Sequence, residues 1–245
     1  MERVVYFIGA GPGDPELITV KAKKLIDKAN VIVYAGSLVP KSIFASSQAT
    51  EVIDSSKICL EDIVDILEHH YNQNKIVVRL HTGDPSLYGA IWEQLTLLEQ
   101  RGVKCEIIPG VTSAFALAAR VKKPFTYPYG NQTLIFTRLS GKTPVPSAQN
   151  LKHLAKTKSS LAIYLSATKG PLIQKVLLNA GYPKKTTVVI GYAVSWPQEE
   201  IIVTSLDKLH EICNNINYTK HLLYLVLPDQ GKNRSLLYQQ APSKI

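Results

Sequence analysis

"IVVRLHTGDPSLYGA" (Ile76–Ala90) carries an apolar run, Ile76-Val77-Val78, straight into Gly83-Asp84-Pro85 and then into a helix-like stretch. The same tripeptide occurs earlier, where "FIGAGPGDPELIT" (Phe7–Thr19) places Gly13-Asp14-Pro15 after another apolar run. Glycine permits positive φ and close backbone approach, aspartate binds local N–H groups, and proline presets φ for the next turn. Each copy therefore reads as a strand-to-helix turn. Two such turns at strand C-termini point to a shared ligand crevice, because open α/β sheets bind ligands beyond the carboxyl ends of their strands.

Outward from these turns, short β-rich runs alternate with amphipathic segments of helix length. The spacing predicts strands at Val4–Ile8, Val31–Tyr34, Thr50–Ile53, Ile76–Leu80 and Lys104–Ile107. Helices are predicted near Val20–Lys28, Leu60–Tyr71, Ala90–Arg101 and Ser113–Ala119, the first with Thr19 as its N-cap. This alternation implies a parallel sheet with right-handed crossovers. Prolines and glycine then interrupt both periodicities in "RVKKPFTYPYGNQ" (Arg120–Gln132), which sets the domain boundary. Beyond it, strands are expected at Thr133–Arg138, Ser160–Leu165, Thr187–Ala193, Glu200–Thr204 and Leu222–Leu227. Helices are expected at Ala148–Lys156, Lys169–Ala180 and Ser205–Asn214. The expectation is an α/β protein: residues 1–120 form one α/β domain, residues 121–240 a mixed-sheet α/β domain, and residues 241–245 a flexible tail. A ligand cleft is expected between the two domains.

The 245 residues, 45% of them hydrophobic, suffice for these cores. The net charge of +9 comes from 28 dispersed Lys and Arg, without a basic run or interleaved aromatics. That argues against a nucleic-acid-binding module and leaves a solvated basic surface or a polyanionic small substrate. Cys59, Cys105 and Cys213 are distant from one another and show no metal-site spacing. No signal peptide or 18-residue apolar run is present, so a cytoplasmic protein without membrane association is expected. The six histidines lack ligand spacing, and no metal is expected.

Two phosphate signatures fail. In "GAGPGD" (Gly9–Asp14) the third glycine of a dinucleotide fingerprint is replaced by Asp14, and Asp14 and Glu16 would repel a pyrophosphate. Gly141-Lys142-Thr143 ends like a P-loop, but the required earlier glycine is Phe136, and Pro144 follows where a helix should begin. Carboxylates in the crevice favour a cationic or hydroxyl-bearing ligand. S-adenosyl-L-methionine, with its sulfonium, ammonium and ribose hydroxyls, suits that chemistry. Asp14 and His81, beside the turns, are site candidates. No nucleophile–base arrangement is legible, so no catalytic residue is named.

"VYFIGAGPGDPELIT", "RLHTGDPSLYGA", "IIPGVTSAFALAA" (Ile107–Ala119) and "SWPQEE" (Ser195–Glu200) together resemble the tetrapyrrole methyltransferases of cobalamin biosynthesis. "VYAGSLVP" (Val33–Pro40) and the Thr82–Gly89 turn look like the branch that methylates precorrin-4, or its cobalt form, at C11. Neighbouring branches act at C17 or at C2 and C7. The resemblance implies the tetrapyrrole methylase fold, a homodimer, and S-adenosyl-L-methionine bound in the interdomain cleft with S-adenosyl-L-homocysteine as product. It also implies that Pro12, Thr82, Gly83, Asp84, Leu87, Thr112 and Ser113 line the cofactor site. Leu165, where many members have Met, and Ala193–Val194 would approach the adenine. The polycarboxylate tetrapyrrole substrate would account for the basic balance, with Arg79, Arg120, Lys122, Lys123, Arg138 and Lys142 as candidates to hold it.

Overall fold

A computed structural model describes residues 3–228 together with 235 and 236. The expected tail, 241–245, lies outside the described residues. The chain divides into two compact units. Unit 1 comprises Met1–Ala116 with Ser195–Pro197, and unit 2 comprises Leu117–Val194 with Gln198–Ile245. The division falls at Ala116/Leu117, a few residues before the expected boundary.

Unit 1 runs β1 (Val5–Gly9), α1 (Val20–Lys28), β2 (Val31–Tyr34), β3 (Glu51–Asp54), α2 (Leu60–Asn72), β4 (Val77–His81), α3 (Trp92–Gln100) and β5 (Cys105–Ile108). All strand pairings are parallel, in the order β3-β2-β4-β1-β5. The sequence dictates the layering. Thr19 caps α1 by accepting from the Ala22 N–H, and Ala22 and Ile26 face inward. They pack with Ile8, Ile32, Val78 and Leu80 on one side of the sheet. Ile63, Val64 and Leu67 of α2 and Leu98 of α3 meet Val5, Phe7, Val33 and Val77 on the other. Burying one such side chain as fully as Ile26 contributes about 1.5–3 kcal/mol. With both faces covered, β2 and β4 are buried at every position, as a parallel central strand requires.

Strand order and register then place the loops. The connection leaving β1 crosses β4 to reach β2, whereas that leaving β4 crosses β1 to reach β5. The chain thus turns opposite ways from two adjacent strands, the switch point beyond whose carboxyl ends open α/β sheets bind ligands. Register pairs Gly9 with His81 and Ile8 with Ile108, so β1, β4 and β5 end at one level.

The helix α4 (Ser113–Arg120) spans the division between the units. Unit 2 then contains β6 (Leu134–Arg138), α5 (Leu151–Leu154), β7 (Ser160–Tyr164), α6 (Gly170–Asn179), β8 (Thr187–Tyr192), β9 (Glu200–Ser205), α7 (Leu209–Asn215) and β10 (Leu222–Leu227). Its sheet has the order β6-β7-β10-β8-β9, parallel between β6 and β7 and antiparallel elsewhere. The mixed sheet follows from the β8–β9 hairpin and from the insertion of β10 between β7 and β8. Leu151, Ile173, Leu177 and Leu209 from the helices pack on Leu161, Ile163, Val188, Ile190, Tyr224 and Val226. The "LLYLVL" run of β10 is buried throughout because it is the central strand.

One predicted helix is corrected. Ala148–Lys156 breaks into a 3-10 turn at Ser147–Gln149, the four-residue α5, and a second 3-10 turn at Ala155–Thr157. Asn150 is the cause. It adopts extended dihedrals, and its side chain accepts from the His153 N–H at 3.1 Å, so an N-cap sits inside the apolar pattern. Likewise, Ser205–Asn214 begins as a 3-10 turn, Leu206–Lys208, and becomes α-helical from Leu209. No helix among the described residues is long and apolar enough to cross a membrane.

Candidate active site

Within unit 1 the ends of β1, β4 and β5 meet in a floor of backbone. Gly11 N–H donates to the Gly83 carbonyl at 3.2 Å, and Gly83 N–H returns the bond to Gly11 at 2.8 Å. The two Gly-Asp-Pro loops are therefore hydrogen-bonded to each other. Both glycines have positive φ, +74° and +62°, where a side chain would be strained. Gly9 and Gly110 complete the floor. A β-carbon on Gly9 would lie 2.6 Å from Gly110 Cα and from the Gly83 oxygen. One on Gly110 would collide with the Gly83 oxygen and lie 2.8 Å from Gly9 Cα.

The two aspartates perform one local task. Asp14 Oδ1 accepts from Glu16 N–H at 2.9 Å, and Asp84 Oδ1 from Ser86 N–H at 2.8 Å. In each turn the aspartate carbonyl also accepts from the residue three positions on, Leu17 at 3.0 Å and Leu87 at 3.2 Å. Asp84 does more. Its Oδ2 accepts from Gly110 N–H at 2.9 Å, which ties the loop after β4 to the loop after β5. The carboxylate expected to hold the cofactor thus spends both oxygens on backbone amides of the two loops.

Of the expected cofactor residues, unit 1 brings together Pro12, Gly83, Asp84 and Thr112. A Gly83 β-carbon would sit 3.7 Å from Thr112 Cα, in ordinary contact. Pro12 is buried, Thr82 is exposed, and Leu87 and Ser113 are half-buried. In unit 2, Leu165 directly follows β7, is 70% exposed and has φ +50°. Ala193 directly follows β8, is buried and has φ +44°, with its N–H donating to the His221 carbonyl at 2.9 Å. Val194 is buried. Non-glycine residues in this region are uncommon, and such strain clusters at functional sites.

Two substrate candidates, Arg79 and His81, are buried. Val77, Arg79 and His81 alternate onto one face of β4, and that face is covered by helices. Arg79 is 5% exposed, and its guanidinium donates to Gln94 Oε1 at 3.1 Å, Ser55 Oγ at 2.9 Å and the Val33 carbonyl at 3.4 Å. Burial lowers its pKa to about 10, which leaves it charged at neutral pH. Gln94 passes the support on by donating to the Ala90 carbonyl at 3.0 Å. Arg79 is therefore an internal post under the Thr82–Ala90 loop.

His81 is 4% exposed and stacks on Phe7 with centroids 5.8 Å apart. Burial first, then the Arg79 charge, push its pKa down to about 3, against a smaller opposing effect of the Gly89 backbone. Its Nε2 has no hydrogen-bond partner among the described residues. Below the unfolded pKa of 6.5 the unfolded chain takes up a proton that the folded chain refuses, so stability falls as the pH drops from 6.5 towards 3. By pH 5 this removes about 2 kcal/mol. In urea titrations at pH 7.5 and 5.0, His81→Asn should lose about 2 kcal/mol less across that interval than the unaltered protein. An equal loss in both would refute the assignment.

The remaining basic candidates belong to unit 2. Arg120 is exposed and pairs with Glu199 at 3.2 Å, and Lys122 is exposed. Arg138 donates to the Thr143 and Pro144 carbonyls, both at 3.0 Å, which closes its own loop. Gly110 and Trp196 were not read from the sequence as site residues. Trp196 Nε1 donates to the Pro12 carbonyl at 3.0 Å. A Gly-Pro-Gly loop whose only side chain is the proline ring was the available signal, since it must be packed by something distant.

The sequence profile of the Tetrapyrrole (Corrin/Porphyrin) Methylases matches residues 4–210. The chain belongs to this family. It is 44% identical over 222 residues to the cobalt-precorrin-4 C(11)-methyltransferase of Priestia megaterium, covering 90% of this chain and 86% of that one. The crystal structure of a cobalamin biosynthetic enzyme, cobalt precorrin-4 methyltransferase, superimposes with a TM-score of 0.88 at 43% identity, covering 91% of this chain and 94% of the other. The uroporphyrin-III C-methyltransferase from Thermus thermophilus, complexed with S-adenyl homocysteine, has a TM-score of 0.74 at 27% identity, covering 91% and 96%. The tetrapyrrole methylase fold expected from the motifs is thereby established.

Proposed function

We propose that the protein transfers the methyl group of S-adenosyl-L-methionine to C11 of precorrin-4 or cobalt-precorrin-4, a step of cobalamin biosynthesis. The observation that carries this reading is the 44% identity, across 90% of the chain, to a cobalt-precorrin-4 C(11)-methyltransferase. The local chemistry of unit 1 supports it. The glycines at Gly9 and Gly110 let the loops after β1, β4 and β5 pack backbone against backbone, since a β-carbon on either would strike a neighbouring loop, and the proposed site lies at these loops. The adjoining carboxylates, Asp14 and Asp84, suit a cationic ligand better than a phosphate.

When bound, S-adenosyl-L-methionine supplies an electrophilic methyl whose carbon–sulfur bond breaks as the new carbon–carbon bond forms, leaving neutral S-adenosyl-L-homocysteine. The protein's part is positioning. Pro12, Thr82, Gly83, Leu87, Thr112 and Ser113 would bind the cofactor, with Asp84 holding their loops in place. Leu165, Ala193 and Val194 are proposed to contribute from unit 2. Alignment of reactants at about 3 Å can supply much of the rate, so no metal and no strong base need be assigned. Exposed Arg120 and Lys122, within a net charge of +9, would attract the substrate carboxylates. A cytoplasmic location and a homodimer belong to the same proposal, and light scattering reads the dimer.

The test is incubation of cobalt-precorrin-4 with methyl-labelled S-adenosyl-L-methionine, followed by mass spectrometry and NMR of the product. A single labelled methyl at C11 is expected. A label at another ring position would reassign the regiochemistry, and no transfer to any tetrapyrrole would refute the reading.

A further inference from the structure

The loop between β1 and α1 is poorly equipped to hold its own shape. Two of its first four residues, Gly11 and Gly13, are glycine, and Pro12 has no N–H to donate. Gly11 is fixed by its paired bonds to Gly83, and Asp14 by its bond to Glu16. Between these anchors stand Pro12 and Gly13, and both are met by one side chain. The Trp196 indole N–H donates to the Pro12 carbonyl at 3.0 Å. The same ring lies so close to Gly13 that a β-carbon there would be 2.6 Å from Nε1. Gly13 has φ +153°.

Trp196 arrives from 184 residues away along the chain. It sits in the three-residue excursion Ser195–Pro197, the one part of the second half of the chain that belongs to unit 1. The backbone is bent to deliver it, with Ser195 at φ +67°. A non-glycine residue held in that region marks a conformation imposed by its surroundings. We propose that Trp196 is a positioning residue that latches the Pro12–Gly13 segment into its ligand-binding shape. The latch rests on the reading of this loop as part of an S-adenosyl-L-methionine site.

The contact can be broken from either side, and S-adenosyl-L-homocysteine is the probe. Calorimetry should give a threefold to tenfold weaker affinity for Trp196→Phe, which keeps the packing and loses the single hydrogen bond. Gly13→Ala should weaken binding about tenfold in the unaltered protein. It should weaken binding less when combined with Trp196→Ala, because the steric partner is gone. Trp92 is 77% exposed and is the only other tryptophan, so Trp92→Phe isolates the Trp196 emission. That emission should change on saturation with the probe. Thermal melting of each variant separates loss of fold from loss of binding, and Trp196→Phe stands in if Trp196→Ala does not fold.

Unaltered affinity in Trp196→Phe and Trp196→Ala, or the same penalty for Gly13→Ala in both backgrounds, would overturn the latch alone. So would a Trp196 emission indifferent to the probe. Failure of the unaltered protein to bind S-adenosyl-L-homocysteine would overturn the functional reading and the latch with it.

Discussion

Replacing Gly110 by alanine is expected to remove S-adenosyl-L-homocysteine binding and to lower methyl transfer by about 100-fold or more. The added carbon would fall on the Gly83 carbonyl oxygen and within 2.8 Å of Gly9 Cα. Both neighbours are backbone, so no side chain can rotate out of the way. Overpacking costs about 1–3 kcal/mol where surroundings yield, and here the top of that range is expected because the obstacle is hydrogen-bonded backbone. Relief requires the β4 and β5 loops to part, which stretches the Gly110 N–H bond to Asp84 and the Gly83 pairing with Gly11. A displacement of about 1 Å at a site that works by alignment can cost about 100-fold in rate. Calorimetry, a methyl-transfer assay and thermal melting should move together. Binding at the unaltered affinity would mean that the floor is not where the ligand rests.

Asp84→Ala is expected to weaken S-adenosyl-L-homocysteine binding by about tenfold to 100-fold and to destabilise the protein by about 2 kcal/mol. The carboxylate accepts from Ser86 N–H and Gly110 N–H at 2.8 and 2.9 Å, one bond within its own turn and one to the neighbouring loop. Bonds to a charged acceptor contribute about 1.5–3 kcal/mol each, less where water can replace them, as at the exposed Ser86 amide. The matching Asp14→Ala removes only the bond from Glu16 N–H, at an exposed position, and should cost less than about 1 kcal/mol. Asp84→Asn should fall between them, since an amide oxygen can replace one acceptor while its NH2 faces the other donor. Equal effects of Asp14→Ala and Asp84→Ala on affinity would show that bridging to Gly110 is not what Asp84 contributes.

The legible part of this protein is the part governed by neighbours in sequence. Thr19 capping α1, the 3.6-residue spacing of Ala22 and Ile26, and the short apolar runs of β2 and β10 each depend on a few adjacent residues. So does each Gly-Asp-Pro turn, where the aspartate side chain bonds an amide two residues on. Where local signals conflicted, the reading failed. Asn150 inserts a helix cap into an otherwise helical apolar pattern, its side chain accepting from the His153 N–H while its own backbone stays extended.

The sequence by itself therefore determined the α/β class, the positions of the strands, the two turns that flank the crevice and, through four motifs, the family. Only the tertiary structure decided what those turns do to each other. The pairing of Gly11 with Gly83, the brace from Asp84 to Gly110 and the seating of Trp196 on Pro12 join residues 72, 26 and 184 positions apart. The first two exist because parallel register ends β1, β4 and β5 at one level, and the third because the connection between β8 and β9 carries Ser195–Pro197 into unit 1. Arg79 and His81 show the same limit from the other side. Their charge and titratability suggested a binding surface, but strand alternation and a helix layer on each face turned them inward. Whether a polar side chain meets ligand or core depends on what covers its strand, and in a parallel sheet the cover comes from helices far away in the chain.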